Sequence, residues 1–147
     1  PMGDGALESM RLEKGYRLWG TDIDTDVNPF EAGLPFAVDM ETDFIGQAAL
    51  DNQGQRQPQN KITPLTIDNS TDIMLSGRPV SHNGSVKGYV QAGSYGYSVD
   101  ASIAYTYLPA TVAEAGTSVT IQCEGQEYDA TVRDEPLYDA AREKITR

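Results

Sequence analysis

Residues 78–109 read RPVSHNGSVKGYVQAGSYGYSVDASIAYTYLP, and this stretch decides the fold. Residues 78–81 and 85–92 flank His82-Asn83-Gly84, and an Asn-Gly pair between two strand-like runs signals a tight hairpin. Residues 101–108 follow with period-two alternation, Ile103, Tyr105 and Tyr107 against Ser102, Ala104 and Thr106. That period places the two sets on opposite faces of a strand. The tyrosines Tyr89, Tyr95, Tyr97, Tyr105 and Tyr107 share this spacing, which suits a barrel core or rim better than a ligand pocket. Gly88, Gly93 and Gly96 are not followed by a GK[ST] signature or a helical pattern, so they read as bulge or corner residues.

Outward from this stretch the pattern stays β. Residues 61–67 alternate Ile62, Leu65 and Ile67 around Pro64. Residues 118–123 and 127–132 flank Glu124-Gly125-Gln126, a second glycine-containing hairpin turn. Short strands at near-regular spacing predict a small barrel or sandwich. Residues 136–147 are charged and predict a short helix or a frayed end.

Toward the N-terminus the composition changes. Residues 51–60, DNQGQRQPQN, hold no large apolar residue and read as a linker. Before it, residues 4–11 predict a helix with Asp4 as N-cap and with Leu7 and Met10 on one face. Residues 12–19 read as strand-like, 21–29 as a polar loop, 30–38 as a short apolar run, and 43–50 as a second helix with Ile45, Ala48 and Ala49 on one side. The organisation expected is residues 1–50, a linker at 51–60, and a β-domain over 61–147, an α+β chain.

The net charge of −11 over 147 residues disfavours phosphate backbones and anionic lipid surfaces, so neither nucleic acid nor membrane is an expected partner. No run of 18 apolar residues exists to span a bilayer. No signal peptide is visible, and the cytoplasm is the expected compartment; a start further upstream would remove that argument. The single cysteine, Cys123, forbids an internal disulfide and reads as a small core residue. With His82 the lone histidine, no zinc or Ser-His constellation can be assembled. Asp22, Asp24 and Asp26 mimic the start of a calcium loop, but Val27 stands where its glycine belongs and Gly33 where its glutamate belongs. They read as a solvated acidic loop, and no metal site is expected.

Three pieces in the N-terminal region occur in a telling order: RLEKGYRLWG at 11–20, NPFEAGL at 28–34 and DFIGQAAL at 43–50. With the β stretch and VRDEPLYDAAR at 132–142, they resemble the folate-dependent aminomethyltransferase family. That family includes the glycine cleavage T-protein and the C-terminal halves of dimethylglycine and sarcosine dehydrogenases. The YRLWGTDI and EPLYD wordings are closer to the dehydrogenase branch. The resemblance implies a partial folate-binding α/β segment followed by a small antiparallel β-barrel. It also implies that the chain is the C-terminal part of something larger.

The resemblance assigns tetrahydrofolate as the cofactor, with FAD only in an upstream domain of a parent enzyme. It places Glu13 on the pterin ring, because the family's glutamate in the RLEKG-like motif grips it. The chemistry is sound: a pterin presents an N–H beside an amino group, and an ionised carboxylate accepts both in a fork. An unpaired buried donor would cost about 1–3 kcal/mol. Without the resemblance, Glu13 would read as a solvated carboxylate. Trp19 is given as the second cofactor contact, an aromatic wall; its competing reading is a core anchor under the Glu13 segment.

Two departures stand out. The segment AVDMETDFIG at 37–46 lacks the arginine that many T-protein relatives place there. The family's catalytic aspartate belongs to the N-terminal region, so no catalytic residue is assigned in this chain, and alone it should show no aminomethyltransferase turnover. An N-methyl amine or aminomethyl donor would be met through that absent part. Leu12, Tyr16, Leu18, Trp19, Phe30 and Phe36 would then seek partners, predicting self-association or disorder of the first 50 residues. The alternative function is a free-standing, non-catalytic barrel that binds a partner or small molecule.

Overall fold

The structure is a computed structural model describing residues 2–54 and 58–144. Six antiparallel strands close into a barrel: β1 (Asn60–Ile67), β2 (Pro79–His82), β3 (Ser85–Gly96), β4 (Ala101–Pro109), β5 (Ser118–Cys123) and β6 (Gln126–Val132). The order around the barrel is β1-β4-β3-β2-β5-β6, with β6 pairing back onto β1. Both expected hairpins are present. Asn83 and Gly84 have φ of 51° and 74°, and Glu124 and Gly125 have 52° and 82°. Positive φ at both central residues is the type I′ geometry that matches strand twist.

The barrel interior is filled by Leu65, Ile67, Met74, Val80, Val90, Ala104, Leu108, Val119, Ile121 and Val132. Cys123 packs against this cluster from a half-buried position, as a small core residue would. The alternation in β4 is real, but its bulky face points the other way. Ala104 lies inside, whereas Ile103 and Tyr105 join Leu12, Ile62 and Ala92 in a second cluster on the outer wall. Tyr107 packs beside that cluster. These aromatic residues therefore anchor the N-terminal segment to the barrel instead of filling the barrel. Tyr89 and Tyr97 are exposed at 55% and 81%.

A bulge makes the two-sided packing possible. Val90 pairs with Thr106 and Ala92 with Tyr105, leaving Gln91 as an extra residue. The inserted residue flips the alternation, so Val90 enters the interior and Ala92 faces outward. Nearby, Gly93 crosses the chain before β2 so closely that a Cβ would lie 2.1 Å from the Met74 carbonyl oxygen. Because that obstacle is backbone, Gly93→Ala is expected to destabilise the fold by about 3 kcal/mol, the upper range for overpacking. Urea denaturation checks this; a midpoint unchanged from the parent would mean the crossing relaxes freely.

The helix on the outer wall is α1 (Asp4–Lys14). Gly3, not Asp4, is its N-cap, and Asp4 sits in the first turn, where an acidic group complements the helix dipole. The strand expected from residue 12 is absent. Helix formers carry α1 on to Lys14, and Gly15 stops it with φ of 72°. The Gly15 and Tyr16 amides bond to the Leu12 and Arg11 carbonyls, a Schellman closure. The buried face is also different from the expected one: Ser9, Leu12 and Glu13 face the barrel, while Leu7 and Met10 are 47% and 48% exposed. The composition-based choice picked Leu7 and Met10, but the contact surface combines one large apolar residue, Leu12, with the polar Ser9 and Glu13.

Residues 30–38 hold only a short 3₁₀ turn, Pro35–Ala37. The second helix, α2 (Gln47–Gly54), starts after Gly46 (φ 97°), so Ile45 stands fully exposed before it. It runs into the stretch read as a linker, of which residues 55–57 lie outside the described residues. Residues 145–147 of the expected C-terminal end also lie outside them. Among the described residues no helix is long and apolar enough to cross a membrane.

Candidate functional site

The RLEKGYR segment packs four charged side chains where the helix meets the following loop, and the structure gives each a distinct partner. Arg11 is 7% exposed, and its Nη1 donates to Asp22 Oδ2 at 2.5 Å. The same Asp22 oxygen accepts the Leu18 N–H at 2.7 Å. The Tyr107 hydroxyl donates to the Asp22 carbonyl at 2.8 Å. Asp22 is therefore not a solvated loop residue: it is 3% exposed and committed to a cation. Among the described residues no group of three or more acidic, histidine or cysteine side chains could hold a metal ion.

Arg17 forms a second knot. Its Nη1 and Nη2 donate to Glu135 Oε1 and Oε2 at 2.5 and 2.6 Å, a bidentate fork. Its Nε donates to the Ala32 carbonyl at 3.1 Å, and its guanidinium lies 5.1 Å from the Tyr105 ring centre. Arg17 thereby fastens the loop through Ala32, the C-terminal strap and the barrel wall together. Lys14 Nζ closes the strap by donating to the Asp139 carbonyl at 2.6 Å. A cleft of about 540 Å³ opens beside these groups, lined by Lys14, Tyr16, Arg17, Phe36, Glu135 and Arg142 among others.

Glu13 lies between these knots and is 3% exposed. Its Oε1 accepts the Ser98 N–H at 2.5 Å, and its carbonyl accepts the Tyr138 N–H at 2.9 Å. Trp19 is 68% exposed, which rules out the core-anchor reading. It borders a small apolar cleft of about 190 Å³ with Ile23, Val27, Pro29 and Leu34. Glu13 lines neither cleft, so the two expected contacts are not brought together within this chain. Of the residues expected to seek partners, Leu12 is buried against the barrel and Phe30 is half-buried. Tyr16, Leu18, Trp19 and Phe36 remain exposed, at 60%, 41%, 68% and 84%.

Sequence reasoning missed Arg11, Asp22, Arg17, Glu135 and Ser98. A signal existed for two of them: Arg11 opens the RLEKG segment and Arg17 follows it closely, on a chain with twice as many acidic as basic residues. Nothing local marked Ser98, whose contribution is a backbone N–H.

Residues 60–139 match the family described as the glycine cleavage T-protein C-terminal barrel domain, and residues 1–42 match the GCVT N-terminal domain. Mitochondrial dimethylglycine dehydrogenase of Mus musculus is 35% identical over 137 residues, covering 92% of this chain and 16% of the relative. An aminomethyltransferase of Synechococcus sp. (strain WH7803) is 36% identical over 140 residues, covering 94% of this chain and 38% of the relative. The crystal structure of the glycine cleavage system aminomethyltransferase T from Bartonella henselae superposes with a TM-score of 0.84 at 29% identity. That match covers 91% of this chain and 38% of the other. The chain thus spans well under half the length of each of these proteins.

Proposed function

The chain belongs to the glycine cleavage T-protein family, and from that premise we propose that it forms one wall of a tetrahydrofolate site in a one-carbon-transfer enzyme. The family is folate-dependent in general. In this reading residues 1–50 belong to the folate-binding region, 51–60 link it to the barrel, and 61–147 back it from behind. The chain would be the C-terminal portion of an aminomethyltransferase-like enzyme of the dimethylglycine or sarcosine dehydrogenase type.

Glu13 carries the reading. It is a carboxylate buried at the end of a helix, with one oxygen held by a barrel amide. A carboxylate has about four acceptor positions, so the Ser98 N–H leaves room for the paired donors of a pterin edge. In a buried setting such charge-assisted bonds are stronger than in water. Trp19 supplies an exposed indole face, either to the ligand or to the polypeptide that completes the pocket. Tetrahydrofolate, when bound, supplies the nitrogen that takes up the one-carbon unit. The residues of this chain bind and orient it; the amine donor, the catalytic acid–base group and any FAD are assigned to polypeptide outside the chain. The exposed Tyr16, Leu18, Trp19, Phe36 and Ile45 side chains support completion by further polypeptide or by self-association.

Titration calorimetry with tetrahydrofolate tests this. Glu13→Ala is expected to weaken binding about 10- to 100-fold, the equivalent of about 1.5–3 kcal/mol for a hydrogen bond to a charged group. Equal affinity in the two proteins would overturn it. That result would favour the second reading, a non-catalytic barrel completed by a partner, which draws on the position of Glu13 outside both clefts.

A further inference from the structure

The direction of the Glu13 side chain is set by the barrel. Ser98, whose N–H reaches Glu13 Oε1, lies 85 residues along the chain, in the turn between β3 and β4. That turn is braced from both sides. The Tyr95 hydroxyl donates to Asp100 Oδ1 at 2.6 Å across its base. Ser9 Oγ donates to the Tyr95 carbonyl at 2.7 Å, tying α1 to β3 one helical turn before Glu13. Gly96 completes the arrangement by having no side chain. A Cβ there would lie 2.5 Å from Ile103 Cδ1 and 3.2 Å from Glu13 Cγ, closing the passage through which the glutamate reaches the turn.

We infer that the Ser98 backbone amide is the positioning group for the Glu13 carboxylate, so that the β3–β4 turn of the barrel forms part of the folate site. The inference rests on the reading of Glu13 as the pterin contact. A glutamate has three rotatable side-chain bonds, and fixing them at the moment of binding weakens affinity. Here that freedom is lost on folding, before a ligand arrives. An ionised carboxylate accepts hydrogen bonds and donates none. The complementary ligand edge is therefore one with two adjacent donors, such as the pterin ring presents. Such a role also explains why the barrel packs its β3–β4 end, and not another part, against the end of α1.

Two measurements on the full chain test the inference. In the first, without ligand, the Ser98 amide proton resonance is expected among the most downfield and is expected to move upfield in Glu13→Gln. A resonance indifferent to that change would overturn the inference. In the second, Ser98→Pro removes the N–H and is expected to bind tetrahydrofolate about tenfold more weakly, with an unchanged circular dichroism spectrum. Ser98→Ala retains the N–H and is expected to restore the affinity. If Glu13→Gln weakens binding and a folded Ser98→Pro does not, the positioning role is wrong and the folate contact stands. If Glu13→Gln leaves tetrahydrofolate binding unchanged, or the parent chain binds none, the folate reading fails. The Ser98 resonance still decides whether the amide holds the carboxylate.

Discussion

Replacing Asp22 with alanine is expected to destabilise the protein by about 3–5 kcal/mol, the range for removing one partner of a buried ion pair. The loss falls on Arg11, whose side chain is 7% exposed, beside an aspartate side chain at 1%. Without Asp22 the guanidinium keeps Glu8, 2.7 Å away on the half-exposed side, and the Tyr16 carbonyl at 3.2 Å. These remaining partners place the expected cost toward the lower end. The Leu18 N–H would lose its acceptor in the same change. The intact pair is not an ideal one, since Arg11 Nε and Asp22 Oδ1 have no hydrogen-bond partner among the described residues. Arg11→Met combined with Asp22→Leu is therefore expected to cost less than Asp22→Ala alone, because no charge is left stranded. Urea unfolding of the three proteins measures this, and equal losses would mean that the two side chains are not coupled.

The Asp22 case shows where sequence reading ran short. Three aspartates in five residues read as a solvated loop because local charge density was the visible signal. The cation that buries Asp22 sits 11 residues earlier on the far side of a helix end, and no local pattern announces that pairing. The barrel was legible for the opposite reason. Asn83-Gly84 and Glu124-Gly125 fix two hairpins through backbone conformation alone, which is a local property. Alternation in β4 was equally visible, but alternation says only that two faces differ, not which one faces the barrel interior. With α1 covering the outer wall, the bulky face of β4 could be buried outside and the small face inside. Glu13 was singled out through its motif, as a proposed folate contact, whereas Ser98 carried no signal, since a backbone N–H looks alike at every position. Helix ends failed where a glycine outweighed periodicity: Gly15 and Gly46 set the boundaries that the apolar pattern blurred.

The same outer wall gives the second large expectation, a loss of stability in alkali that begins near pH 10. Tyr105 holds its proton far above the ordinary tyrosine value of 10.0, first because it is buried and then because the Glu135 carboxylate lies beside it; Arg17 opposes part of the shift. Its hydroxyl donates to the Leu12 carbonyl at 3.1 Å and lies 3.3 Å from Glu135 Oε1. Tyr107 is pushed up to about 12, again by burial first, with Arg17 opposing and the Asp22, Asp24 and Glu31 carboxylates adding to it. Above pH 10 the unfolded chain releases these protons while the folded chain keeps them. The unfolded state then binds fewer protons, so stability falls as pH rises, by at most about 1.4 kcal/mol per unit for each group. The contribution is complete below pH 10. It drains away up to about pH 12 for Tyr107 and beyond that for Tyr105. Tyr107 is only half buried, so solvent screening makes its share the smaller one. A loss of about 2–3 kcal/mol between pH 10 and 12 is expected, most of it from Tyr105. Urea midpoints measured across that interval check the slope. In Tyr105→Phe the protein is weaker at neutral pH, having lost a hydroxyl that donates to the end of α1, but its stability should decline less steeply with pH. A slope equal to that of the parent would show that Tyr105 ionises as readily in the folded chain as in the unfolded one, and that the wall between α1 and β4 is open to water.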